Sequence, residues 1–154
     1  MPASVRESIL SGIETVLGGI RITNGYENDV ASVQRWKQRG NPLKDVPCIV
    51  ITAGPEEKKK GPNPLVTARL KVYLELYTRQ DETDSSATDT LLNSILKDIE
   101  KALYTDVTIG NKAVDTDVQE VIPFGAEVGN GHAGLIIGVE ILYRHLADNP
   151  AQAA

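Results

Sequence analysis

Leu70-Lys71-Val72-Tyr73-Leu74-Glu75-Leu76-Tyr77 sets an aliphatic residue at every second position and a polar or amphipathic one between. Strand side chains alternate between the two faces of a sheet, so this period of two predicts a long strand with one face on a core. Its natural cover is the stretch 85–103, where Leu91, Leu92, Ile95, Leu96, Ile99 and Leu103 recur at three- and four-residue spacings and line one stripe of a helix. Asp84 or Thr83 is placed to cap that helix. Its other side, with Asp89, Asn93, Lys97, Asp98, Glu100 and Lys101, reads as a solvated face.

Upstream, Ile9, Ile13, Val16, Leu17 and Ile20 share one face of a second helix, expected over 5–17. Ser4 and Glu7 have the spacing of a capping box, and Gly18-Gly19 suits a left-handed end. An extended segment follows at 30–36, and Pro47 opens Cys48-Ile49-Val50-Ile51, a β-branched run suited to a strand covered on both faces. Residues 53–64 hold no apolar side chain larger than Ala and are bracketed by Gly and Pro, which predicts a solvated hairpin arm or loop. Strands are expected again at 107–109 and 113–122. Past a glycine-rich loop, Leu135, Ile137, Val139, Ile141 and Tyr143 mark the last one. The order helix, three strands, helix, two or three strands predicts an α+β fold: one mixed, largely antiparallel sheet with both helices on one face. Residues 1–146 form a single domain in this reading, and 147–154 a flexible tail.

The 154 residues carry 16 Lys and Arg against 21 Asp and Glu, a net charge of -5 that argues against a broad basic face for gripping nucleic acid. The opening residues lack a basic segment followed by an apolar one, so neither a secretory leader nor a membrane anchor is expected. One cysteine, Cys48, permits no internal disulfide and reads as a small core residue.

Chemistry finds little to stand on. His132 and His145 lie in no nucleophile motif, and one cysteine with two separated histidines does not make a zinc site. Asp115 and Asp117 share a strand face, the expectation for a charged sheet edge that discourages aggregation. The stretch 125–134 leads into a strand and lacks the Gly-Lys-Ser/Thr ending of a phosphate loop. Lys58-Lys59-Lys60 follows Glu56-Glu57 with no aromatic residues between to stack on bases. No catalytic residue, metal or cofactor is assigned.

In chain order these segments resemble the tail terminator, or tail completion, family of long-tailed phages. The resemblance runs over 4–145 and rests on six pieces in sequence: the helix 5–17 with Gly18-Gly19; Val30-Ala31-Ser32-Val33-Gln34-Arg35-Trp36; Asp45-Val46-Pro47-Cys48-Ile49-Val50-Ile51; the alternating strand 70–77; the stripe 91–103; and Ala133-Gly134-Leu135-Ile136-Ile137-Gly138-Val139-Glu140-Ile141-Leu142-Tyr143-Arg144. It implies a virion protein of the tail and neck, made in the bacterial host cytoplasm. The family's subunits form a hexameric ring on the last ring of the tail tube, ending tube polymerisation and presenting a surface to the head-tail connector or another neck protein. DNA would pass through the ring without specific binding.

On that reading the arm residues Glu56, Glu57, Lys58, Lys59 and Lys60, and Phe124, Asn130 and His132 in the stretch 123–134, are the candidate assembly contacts, because both segments reach beyond the core. The nearest alternative is another neck component, a head-tail connector or stopper subunit. A small enzyme or ligand-binding domain is the alternative of a different class; it needs a convergent pocket, and His132, Asp115 and Asp117 together in one cleft would favour it.

Overall fold

In the computed structural model, which describes residues 2–36, 45–81, 83–124 and 131–154, α1 spans Val5–Gly18. The Ser4 hydroxyl accepts from the Glu7 N–H at 3.1 Å, half of the expected capping box. The Glu7 carboxylate instead turns to Arg35 of the first strand. The helix ends at Gly19 in a right-handed conformation, φ -84°, and not in the expected left-handed turn. The left-handed glycine comes later, Gly25 at φ 90°, closing a 3-10 turn Ile22–Asn24 whose Asn24 amide donates back to the Gly19 carbonyl.

Six strands follow as one mixed sheet: β1 (Ser32–Arg35), β2 (Cys48–Lys60), β3 (Leu65–Arg79), β4 (Asp115–Phe124), β5 (His132–Leu146) and β6 (Asn149–Ala153), with α2 (Ser85–Thr105) between β3 and β4. The spatial order is β1-β2-β3-β5-β4, with β6 pairing the end of β5. Only β1 with β2 is parallel. The α+β class and the helix and strand order agree with the sequence. The stretch 53–64 is a hairpin arm, its two strands paired from Cys48↔Tyr77 to Lys60↔Val66 with a bulge between Ala53 and Glu56.

The core lies between the helices and the inner face of the sheet. Leu70, Val72, Leu74 and Leu76 of β3 and Ile137, Val139 and Ile141 of β5 are buried there, against Ile9, Ile13 and Leu17 of α1 and Ile95 and Ile99 of α2. Burying each such side chain contributes about 1.5–3 kcal/mol before the entropy of ordering the chain is set against it. The outer face holds a second, smaller cluster, Cys48, Val50 and Tyr77, with Val46 and Phe124 packed on it.

Three expectations need correction. Residues 107–109 are not a strand. The Asp106 carboxylate accepts from Thr108 N–H, Thr108 hydroxyl and Gly110 N–H, and this side-chain clasp takes the backbone into turns with φ of 48° at Ile109 and 64° at Asn111. Ile109 is buried all the same, seated where Gly12 of α1 leaves space: a Cβ at Gly12 would lie 2.5 Å from its Cγ2. The C-terminal residues, expected to fray, pair with β5 through β6, and Ala147 N–H donates to Pro64 O at 2.8 Å. Asp98, placed by its helical position on a solvated face, is 2% exposed.

Candidate assembly surface

The arm separates its charges by strand alternation. Glu56 faces inward and accepts a hydrogen bond from the Tyr143 hydroxyl of β5, with Arg6 Nε of α1 3.4 Å from its other oxygen, a charge contact without hydrogen-bond geometry. Burial, then the Glu56 carboxylate, hold the Tyr143 phenol well above its usual range, so it stays protonated and donates. Lys58 lies 3.2 Å from Nε2 of His145, and Nδ1 of that ring lies 2.8 Å from the Leu146 carbonyl. A carbonyl only accepts and an ammonium only donates, so Nδ1 carries the proton and Nε2 receives the Lys58 bond. Glu56 and Lys58 therefore tie β2 to β5 and α1, which sequence reading missed. His145 is buried at 5% exposure. The signal was present in the period of two, which carries 135, 137, 139, 141, 143 and then 145 onto the inner face.

Glu57, Lys59 and Lys60 remain exposed on the arm. With Lys58, Gly61, Thr67 and Arg69 the first two line a groove over its end. Arg69 pairs with Glu140 at 2.9 Å across the outer face, and Lys71 donates to Gln119 at 2.6 Å.

At the far end of the sheet the stretch 123–134 divides. Pro123 and Phe124 complete β4, and His132, half-buried, opens β5 opposite Arg79. Asn130 lies outside the described residues. Phe124 meets Tyr77 edge-on, ring centroids 5.2 Å apart, and reclines over Gly134, where a Cβ would fall 2.4 Å from its ring. Gly138 gives Glu120 the same room, so large side chains lie flat on an outer face that neither α1 nor α2 covers.

The three residues that would have pointed to a cleft do not meet. Asp117 stands opposite Glu140 and Asp115 opposite Leu142, whereas His132 starts the same strand. At ~3.4 Å per residue that separation is on the order of 25 Å or more. Asp115 and Asp117 are exposed on the border strand β4. No group of three or more His, Cys, Asp or Glu able to hold a metal occurs among the described residues. No helix among them is long and apolar enough to cross a membrane.

Trp36 is a feature that the sequence reading left inside a strand. It follows β1 with φ 63° and is 63% exposed, while its backbone N–H donates to Ile51 O at 3.1 Å. Neither a model of a known protein family nor a curated protein matches the chain.

Proposed function

We propose that this chain is a structural subunit of a phage tail, a tail terminator whose ring caps the tail tube, ends its polymerisation and joins it to the head connector. The ordered segments over 4–145 brought this reading forward. The observation that carries it is where the exposed charge sits: Glu57, Lys59 and Lys60 on the arm and Asp115, Asp117 and Glu120 on β4 stand in rows on rigid strands. Rows on strands suit contact over an extended surface, whereas catalysis calls for groups converging in a pocket.

The mechanism is geometric. A ring of such subunits presents one face that fits the last ring of the tube and another that offers no site for the next one. A contact that joins unlike surfaces of identical subunits closes into a ring when its rotation permits.

An early stop codon in the gene, followed by negative-stain microscopy of the particles produced, tests the proposal. Overlong tails, or tails without heads, are expected. Normal virions would remove the tail and neck readings together.

A further inference from the structure

We infer that the contact between Lys58 and His145 is an acid-sensitive latch: a proton added to the imidazole releases the Lys58 side chain from the sheet and turns it into solvent. The inference concerns one contact within the chain and goes beyond the assembly reading, which stands or falls without it.

His145 lies next to the end of β5 and is 5% exposed. Its neighbours across the sheet are Val66 of β3 and Ala153 of β6, and the Tyr143 ring stands 6.1 Å away, centroid to centroid. Both ring nitrogens are committed. Nδ1 carries its proton toward the Leu146 carbonyl at 2.8 Å, which leaves Nε2 as the one lone pair of the ring, 3.2 Å from Nζ of Lys58. Only the neutral imidazole can receive this bond.

A second proton has one place to go. Protonation at Nε2 turns the acceptor into a donor, so an N–H faces an ammonium that has no lone pair, and two positive charges stand 3.2 Å apart. Turning the ring over brings no relief, because both nitrogens of an imidazolium are donors. The two groups must part.

The surrounding charges do not compensate. Lys60 of β2 shares the row of His145 through Val66 and adds another cation. Glu56, also on β2, is already held by the Tyr143 hydroxyl of β5 and by Arg6 of α1, 3.4 Å from its other oxygen. Val66 and Ala68 of β3 are apolar, and β6 carries no titratable side chain. Arg144 belongs to the outer face, and Asp148, in the turn between β5 and β6, is exposed. Among the described residues no carboxylate forms an ion pair with Lys58 or His145.

What gives way is the lysine. The His145 ring is fixed by its burial and by its Nδ1 bond, while Lys58 is exposed on a flexible four-carbon stem. β2 stays paired with β3 through Lys58↔Ala68 and Lys60↔Val66. Acid therefore changes the charge that the arm offers without dismantling the arm: Lys58 joins the exposed Lys59 and Lys60, and an imidazolium appears behind them. Imidazole is the side chain that ordinarily changes charge between about pH 5 and 8, so mild acid is the trigger.

The three consecutive lysines supply their own control. The whole chain is pulse-labelled with an amine-reactive ester at a series of pH values from 8 to 5, and labelling of Lys58 relative to Lys59 is read by peptide mass spectrometry. Taking the ratio removes the pH dependence of the reagent. At pH 8 Lys58 should label several-fold less than Lys59, and the ratio should rise toward one as pH falls. His145→Gln keeps an acceptor at this position but cannot titrate, so its ratio should stay low and flat, whereas His132→Gln should behave as the unsubstituted chain does. If His145→Gln does not fold by circular dichroism, NMR shifts of the His145 ring nitrogens in the unsubstituted chain answer the same question: the Nδ1-protonated tautomer at pH 8, and a second protonation that coincides with the rise at Lys58. A ratio that does not change with pH, a rise that survives in His145→Gln, or a ring that titrates with no change at Lys58 would each overturn the latch.

Discussion

Asp98, in the middle of α2, accepts the backbone N–H of Asn28 at 2.9 Å, and the same carboxylate takes the Asn28 side-chain amide and the Glu27 N–H. One buried side chain thus holds the turn that brings the chain from α1 into β1. Asp98→Ala leaves three donors short of an acceptor, and hydrogen bonds to a charged group are worth about 1.5–3 kcal/mol each. The expected loss is about 3 kcal/mol in urea unfolding, against about 0.5 kcal/mol or less for Asp89→Ala on the exposed face of α2. Equal effects would remove the clamp.

The glycines under the outer face give a second, graded test. A Cβ at Gly134 would lie 1.9 Å from the Leu76 backbone carbonyl as well as against the Phe124 ring, whereas at Gly138 it would meet only the Glu120 side chain. Gly134→Ala should therefore cost about 3 kcal/mol or more and Gly138→Ala much less, since a flexible exposed side chain moves aside and a strand backbone does not. Phe124→Ala should not rescue Gly134→Ala. Thermal unfolding of the three variants decides it.

Alkaline stability should fall through the tyrosines. Burial first, then the Glu75 carboxylate, push the Tyr77 phenol from 10.0 up to about 12, and Tyr143 is raised further in the same direction. Above pH 10 the unfolded chain releases these protons while the folded one keeps them, so ionisation favours unfolding. The contribution is complete below pH 10 and, for Tyr77, is lost between about pH 10 and 12. Tyr77→Phe should flatten that part of the stability profile, measured by urea unfolding from pH 8 to 11.5. An unchanged slope would contradict it.

Helix starts are the last test. The Asp84 carboxylate accepts from the Ser86 and Ala87 N–H groups at 3.0 and 3.2 Å, and these bonds hold its pKa below the usual aspartate value, the Ser86 side chain first. Asp84→Ala should lower stability measurably, because two backbone N–H groups at the start of α2 lose their acceptor. Because the folded pKa is depressed, the carboxylate's advantage is present above the ordinary aspartate value of 3.8 and is lost as pH falls through the lower folded value. The difference between the two proteins should therefore shrink on acidification.

Much of the fold was written in local periodicity. The alternation at 70–77 and 135–143, the stripe of α2 and the apolar face of α1 each follow from backbone geometry, in which a residue's direction depends on its neighbours in sequence. Residues 107–109 escaped because an aspartate clasp outweighed β-branched propensity. The candidate surface was legible as a charged arm, but not which of its charges were already engaged.

The sequence by itself determined the two helices, the long strands, their order and their inward faces, because these depend on a period of two or 3.6 and on capping and turn residues within a few positions. Only the tertiary structure decided that Asp98 is buried and that Glu56 and Lys58 bind Tyr143 and His145. These are partnerships across tens of residues, such as Glu56 with Tyr143, 87 apart. Burial and pairing are properties of what packs against a group, and no spacing along the chain encodes which strand will lie beside which.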